Sequence, residues 1–239
     1  MIRNLPISAH VPTAAGAQAA DRLAGTTVPA HASRKQIFPN SCGAASLLCI
    51  AKELGVEKMP AYKGSLSELG DGALELSNAC EQDLFMITSG MTTHRRHADR
   101  IHDAGYSMPQ HLVFAGQLLG LEMDIHEHPG IFSKVLNWLY SDVKSSLAPG
   151  TVVRPHAAEL REGEAELKAL AVSFAKVPVG LHWVAHRADG SYMDPGTGKN
   201  AGSFDDMQRN MRAESHLFMG YADTGISIVV RRGESISRP

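Results

Sequence analysis

The sequence predicts an α+β fold in which a helical first half packs on an antiparallel sheet built from a strand-rich second half. Three observations carry this expectation. Behind Cys42, the run Ser46-Leu47-Leu48-Cys49-Ile50-Ala51-Lys52-Glu53-Leu54-Gly55 has apolar residues at helical spacing and a glycine stop. Far downstream, Leu181 to His186 and Ser191 to Gly198 have strand composition and are joined by Arg187-Ala188-Asp189-Gly190, a hairpin-type turn. The chain then closes with His216 to Tyr221 and Ile226 to Arg231, which reads as another antiparallel pair.

The elements follow in order. Residues 1 to about 33 are rich in Ala, Thr, Pro, Gly and Ser and carry little large apolar surface, so they cannot offset the entropy of ordering. They are expected to be a flexible arm, with Gly16 to Leu23 as its best helix-forming stretch, and residues 34–239 to be one folded domain. After the Cys42 helix, Val56 to Gly72 is a polar loop, and Ala73 to Asp83 carries Leu74, Leu76 and Cys80 at helical spacing. Thr93 to Gly105, with His94, Arg95, Arg96, His97 and Arg100, reads as a polar surface helix. Met108 to Leu119 is a helix ended by Gly120, Leu121 to His126 a strand, and Ile131 to Leu147 a long amphipathic helix broken by Pro149-Gly150. Glu159 to Ala171 is charged and helical in character. Val172 to Phe174 and Val177 to His186 return to strand composition, and Phe204 to Met211 reads as a short helix.

Composition excludes several classes. A net charge of −2 in 239 residues, with 44% hydrophobic residues, lacks the basic bias of a nucleic-acid binder. No run approaches the ~18 apolar residues of a membrane span, and the start Met1-Ile2-Arg3-Asn4-Leu5-Pro6-Ile7-Ser8 lacks the apolar stretch of a cleaved secretory signal. Cys42, Cys49 and Cys80 are an odd set with no CxxC spacing, which points away from a disulfide framework or a four-cysteine zinc site. Cys49 and Cys80 are expected to be packing residues. The pairs His94/His97 and His126/His128 have no third ligand at a recognisable spacing and are expected to be solvated surface histidines. Neither a metal nor a cofactor is implied.

The chemistry concentrates where a loop turns into a helix, at Gln36-Ile37-Phe38-Pro39-Asn40-Ser41-Cys42-Gly43. A cysteine at the positive end of a helix has its thiolate stabilised, which suits a nucleophile. The downstream hairpin can pair His182 with Asp194. If that hairpin packs against the Cys42 helix, His182 can take the thiol proton and Asp194 can orient the imidazole. His186 shares a strand face with His182 through their even spacing, and His216 heads a strand running into Gly220-Tyr221. His182 is preferred to both because a base needs an orienting partner, and only Asp223 follows His216.

With Gln36 six residues before Cys42, Gly43 after it, and His182 and Asp194-Pro195 downstream, the chain resembles the papain-like cysteine peptidase superfamily. The likeness is to its C39-like branch and to bacterial type III effector relatives. The resemblance implies that Gln36 donates to the oxyanion beside the backbone N–H of Cys42, a role an acyl-transfer intermediate requires. It also implies a thiol hydrolase acting on an amide through Cys42, His182 and Asp194, first of all as a cysteine protease on a protein or peptide substrate, such as a host protein. His182-Trp183-Val184-Ala185 and Asp194-Pro195-Gly196-Thr197-Gly198 also look like segments of effectors that deamidate glutamine, an outcome sharing the acyl-enzyme step. A cell-wall peptide amidase ranks third, and an inactive module binding a partner through the same cleft is the rival from another class. The arm resembles a type III secretion segment, which implies export into a host cell without a cleaved signal; the cytoplasm of the producing cell is the alternative.

Overall fold

The computed structural model describes residues 31–60, 72–91, 101, 104–129 and 151–233. Helix α1 (Cys42–Glu53) forms where the apolar spacing requires it, and every residue from Cys42 to Ala51 is buried. Such all-round burial belongs to a helix enclosed by other elements. Helices α2 (Asn78–Thr88) and α3 (Pro109–Leu118) pack against it. Helix α2 starts five residues later than the sequence pattern suggests, because Ser77 caps it by accepting from Cys80 N. Ala73 instead bridges to Lys58, and Leu76 stays outside the helix. Helix α3 opens on Pro109, whose missing N–H and fixed φ suit a first turn.

The second half supplies a seven-stranded sheet. Its strands are β1 (Leu121–Glu127), β2 (Val153–Arg154), β3 (Glu164–Phe174), β4 (Val177–Arg187), β5 (Tyr192–Asp194), β6 (Lys199–Ala201) and β7 (Met219–Arg232), in the order β2-β1-β7-β3-β4-β5-β6. Only the β1–β2 pair is parallel. Helix α4 (Phe204–Glu214), capped by Ser203, lies against β5, β6 and β7.

Two expectations are corrected. Glu159 to Ala171 is not helical: most of it is β3, paired on both sides, by β4 and β7. Its Glu, Ala, Leu and Lys favour helix locally, but Ala165, Leu167 and Ala169 join the large core while Glu166, Lys168 and Leu170 alternate with them, and this two-residue period decides the outcome. His216 to Tyr221 and Ile226 to Arg231 are not two paired strands, because Met219–Arg232 is one continuous strand. Asp223-Thr224-Gly225, which reads as a turn, is absorbed as a bulge. The β3 partner shifts there, Gly225 N donates to Asp223 Oδ1, Thr224 Oγ1 donates to Ala169 O, and Gly225 adopts φ 83°.

The sheet divides the apolar residues into two clusters. The larger joins α1, α2 and α3 to Leu167, Ala169, Trp183, Ala185, Ile228 and Val230. The smaller holds Leu170, Val184, Tyr192, Met207, Met211 and Tyr221 around α4. Both ends of α1 are tied to β4. Ser46 Oγ donates to Trp183 O at 3.1 Å, and at the far end buried Arg187 reaches both Glu53 oxygens, at 2.8 and 2.7 Å. These ties fix the register of the cysteine helix on the histidine strand. Among the described residues no helix is long and apolar enough to cross a membrane. Residues 1–30 of the expected arm, most of the Thr93–Gly105 helix with His94 and His97, and the Ile131–Leu147 helix lie outside the described residues, while Ala32, at the arm's expected end, is tied to Glu53 and Arg187.

Candidate active site

Cys42 is the first residue of α1 and is 2% exposed. Ser41 occupies the cap position but makes no side-chain cap bond. Its hydroxyl is engaged elsewhere, donating to Glu81 Oε1 at 2.6 Å and accepting from Phe38 N at 3.1 Å. Glu81 is wholly buried, pairs with Arg34 at 2.6 Å and accepts from Ile37 N at 2.9 Å, so one carboxylate pins the loop from Arg34 to Ser41 onto α2. With Ser41 diverted, the first-turn N–H groups of α1 have no side-chain cap, and the positive end of the helix is directed at the cysteine. Gly43 lets this turn approach its neighbour, since a Cβ there would lie 2.5 Å from the Cβ of Ser107.

Strand β4 brings the histidine to the sulfur. Trp183 N donates to Cys42 Sγ at 3.4 Å, and the indole Nε1 donates to Ser107 O at 2.9 Å. His182, the next residue, is 8% exposed, and its Nε2 lies 2.7 Å from Asp194 Oδ1. With Nε2 on the carboxylate, Nδ1 is the ring atom left for the sulfur. Burial works against a charged imidazole here. The hydrogen bonds to Asp194 and Cys42, with the negative charges of both, outweigh it and raise His182 to about 10.

Asp194 ends β5 and is 1% exposed. Its Oδ1 also accepts from Gly196 N at 2.8 Å, and its Oδ2 accepts from the Tyr221 hydroxyl at 3.2 Å and Thr197 Oγ1 at 3.3 Å. Burial alone would raise its pKa, but the His182 bond and charge and the other donors hold it below the ordinary carboxylate value. The Tyr221 ring lies flat on the imidazole, with centroids 5.4 Å apart and planes at 10°. The hairpin turn is the expected one, with Gly190 at φ 83°.

A cleft of about 510 Å³ opens beside this group, with Lys35 to Pro39 on one side and Met211, Glu214 and Met219 on another, and it exposes His182, Gly196 and Tyr221. Cys42 is not among its lining residues. Gln36 is, and its Nε2 donates to Phe38 O at 2.8 Å and Pro39 O at 2.9 Å. Both amide hydrogens are thus engaged within the loop, and Oε1 is buried with no hydrogen-bond partner among the described residues.

The structure therefore brings Cys42, His182 and Asp194 together and sets Gln36 on the adjoining wall. The two rival histidines lie elsewhere. His186 pairs with Glu166 at 2.8 Å, and His216 is exposed and packs with Phe174 and Phe218. His126 departs from its expected solvated state: it is 6% exposed, with Nδ1 on His156 O at 3.1 Å. Cys49 is fully buried, which pushes its thiol up to about 12, as suits a packing residue. Sequence reasoning missed Glu81 and Tyr221. Glu81 gives no local signal, and Tyr221 reads in the sequence only as the end of the strand headed by His216.

The family model for Invasion plasmid antigen J, a cysteine protease, matches residues 34–233. The chain belongs to this family. A relative within reach of the Invasion plasmid antigen J family, the cysteine protease IpaJ of Shigella flexneri, is 50% identical over 200 residues, covering 83% of this chain and 77% of that protein. No solved structure matches the chain. The protein is thus a cysteine peptidase with a protein substrate, and the cysteine helix on an antiparallel sheet carrying His and Asp is the papain-like arrangement the sequence resemblance implies.

Proposed function

We propose that Cys42, His182 and Asp194 form the catalytic triad of this cysteine protease. The carrying observation is that the His182 imidazole meets Asp194 through Nε2 and is raised in part by Cys42, whose sulfur accepts from the N–H of the next residue, Trp183. The Cys42 sulfur attacks the scissile carbonyl carbon, and the carbonyl π electrons move onto oxygen. The backbone N–H of Cys42 stabilises that oxyanion at the helix end. The tetrahedral species collapses with loss of the amine, which takes its proton from His182, leaving a thioester on Cys42. His182 then accepts a proton from water as the water attacks the thioester, and the acid product leaves with the thiolate restored. Asp194 keeps Nδ1 aimed at the sulfur throughout.

Gln36 is the second oxyanion donor in this reading. The role requires its amide to exchange Phe38 O or Pro39 O for the oxyanion. The substrate is a host protein, and the N-terminal segment directs export into the host cell. The support for this is the arm's small, polar composition and the kinship with a protease of Shigella flexneri.

The test is incubation of the wild type, Cys42→Ala and His182→Ala with host-cell lysate, followed by mass spectrometry of new chain ends. Proteolysis yields termini that both variants lose. A gain of about one dalton at glutamine without a cut chain would make the acyl transfer a deamidation. Termini unaffected by Cys42→Ala would end the triad reading.

A further inference from the structure

We propose that Tyr221 is a positioning residue that locks the His182–Asp194 pair from both sides, its hydroxyl through Asp194 and its ring through the imidazole. This inference rests on the triad reading above.

Two independent contacts meet in one side chain. The hydroxyl donates to Asp194 Oδ2 at 3.2 Å, the oxygen that His182 does not use. With Gly196 N and His182 on Oδ1, and Thr197 and Tyr221 on Oδ2, both carboxylate oxygens are held, and rotation about the carboxyl bond would break bonds on each. The ring, meanwhile, lies nearly parallel to the imidazole in an offset stack, with centroids 5.4 Å apart and planes at 10°. A histidine turning about its Cβ–Cγ bond would swing its edge into that ring, so the stack fixes the plane in which Nδ1 points at sulfur.

Tyr221 is itself fixed. Its backbone N donates to Gln208 Oε1 of α4 at 3.1 Å, and its position on β7 pairs with Val172 of β3. It is 9% exposed and forms part of the cleft wall. Burial and the adjacent Asp194 carboxylate raise its phenol, which keeps the hydroxyl a donor across the working range.

The experiment measures the rate at which iodoacetamide alkylates Cys42, tracked by mass spectrometry from pH 4 to 9, so that no substrate is needed. The proteins are wild type, His182→Ala, Tyr221→Phe, Asp194→Asn and the Tyr221→Phe/Asp194→Asn double variant, with folding checked by circular dichroism. Tyr221→Phe is expected to lower the rate near pH 6 about tenfold, the scale of one hydrogen bond to a charged group. In the Asp194→Asn background it is expected to change the rate less than twofold, because the hydroxyl acts through that carboxylate. Tyr221→Leu, which also removes the stack, is expected to fall below Tyr221→Phe. Equal factors in both backgrounds, or a Tyr221→Phe profile within twofold of wild type, would overturn the proposal. If Tyr221→Phe does not fold, Thr197→Val removes the other Oδ2 donor and the same cycle decides. A Cys42 profile unchanged by His182→Ala would instead mean that the triad itself is wrong, and the proposal falls with it.

Discussion

Strand β4 carries two histidines four residues apart, and each sits in a similar set of side chains. His182 has Asp194 at 2.7 Å and Tyr221 stacked at 5.4 Å, while His186 has Glu166 at 2.8 Å and Tyr192 stacked at 4.3 Å. Both carboxylates are buried, at 1% and 3% exposure. The difference lies in what completes each set. The His182 set meets a sulfur at a helix end and opens on the cleft. The His186 set meets Lys168, which lies 3.5 Å from Glu166 and 2.8 Å from Asp223, and so closes into an ion-pair network. A histidine, a carboxylate and a tyrosine thus recur as a unit on one strand, and the neighbouring sulfur and cleft are what set the His182 unit apart as the proposed reaction centre.

Substitutions can break this contrast. Cys42→Ala is expected to abolish cleavage, a loss of at least about a thousandfold, because the proposed thioester forms on its sulfur. His182→Ala is expected to cost about as much, because members of a triad act as a unit. His186→Ala should leave cleavage within twofold of wild type while lowering stability by about 1–3 kcal/mol, since it strips a hydrogen bond from buried Glu166; thermal unfolding and a cleavage assay measure the two arms. Equal activity losses from His182→Ala and His186→Ala would erase the distinction.

Gly43→Ala sharpens it by moving the nucleophile. The new methyl would meet Ser107 Cβ at 2.5 Å, so the first turn of α1 must shift, at a cost of about 1–3 kcal/mol in thermal unfolding and a loss of activity larger than the stability loss predicts. The last expected effect is on stability against pH. His182 is raised from about 6.5 unfolded to about 10 folded, so its contribution is complete below about 6.5 and lost as pH rises through about 10. Melting temperatures of wild type and His182→Ala should therefore converge between those limits, and a constant gap would contradict the shift.

Much of this was legible in the sequence where the determinants are local. The Cys42 helix and the His182–Asp194 hairpin are each specified within about a dozen residues, by apolar spacing and by a turn ending in Gly190. What could not be read is what depends on partners distant in the chain. Strand β3 has helix-forming residues overruled by pairing with β4 and β7. Asp223-Thr224-Gly225 has turn composition but serves as a bulge, because Thr224 bonds a carbonyl on β3, 55 residues away in sequence. Glu81, 40 residues from Ser41, orders the loop before the nucleophile with nothing nearby in sequence to announce it.

The central claim is that His182 is held charged by its partnership with Asp194 and Cys42. Nitrogen-15 NMR of histidine-labelled protein tests it directly. One imidazolium signal, assigned by its loss in His182→Ala, should persist up to about pH 10, and in Cys42→Ala its transition should move down toward the ordinary histidine value. A His182 ring that titrates near 6.5 in the wild type, unmoved by Cys42→Ala, would contradict the account.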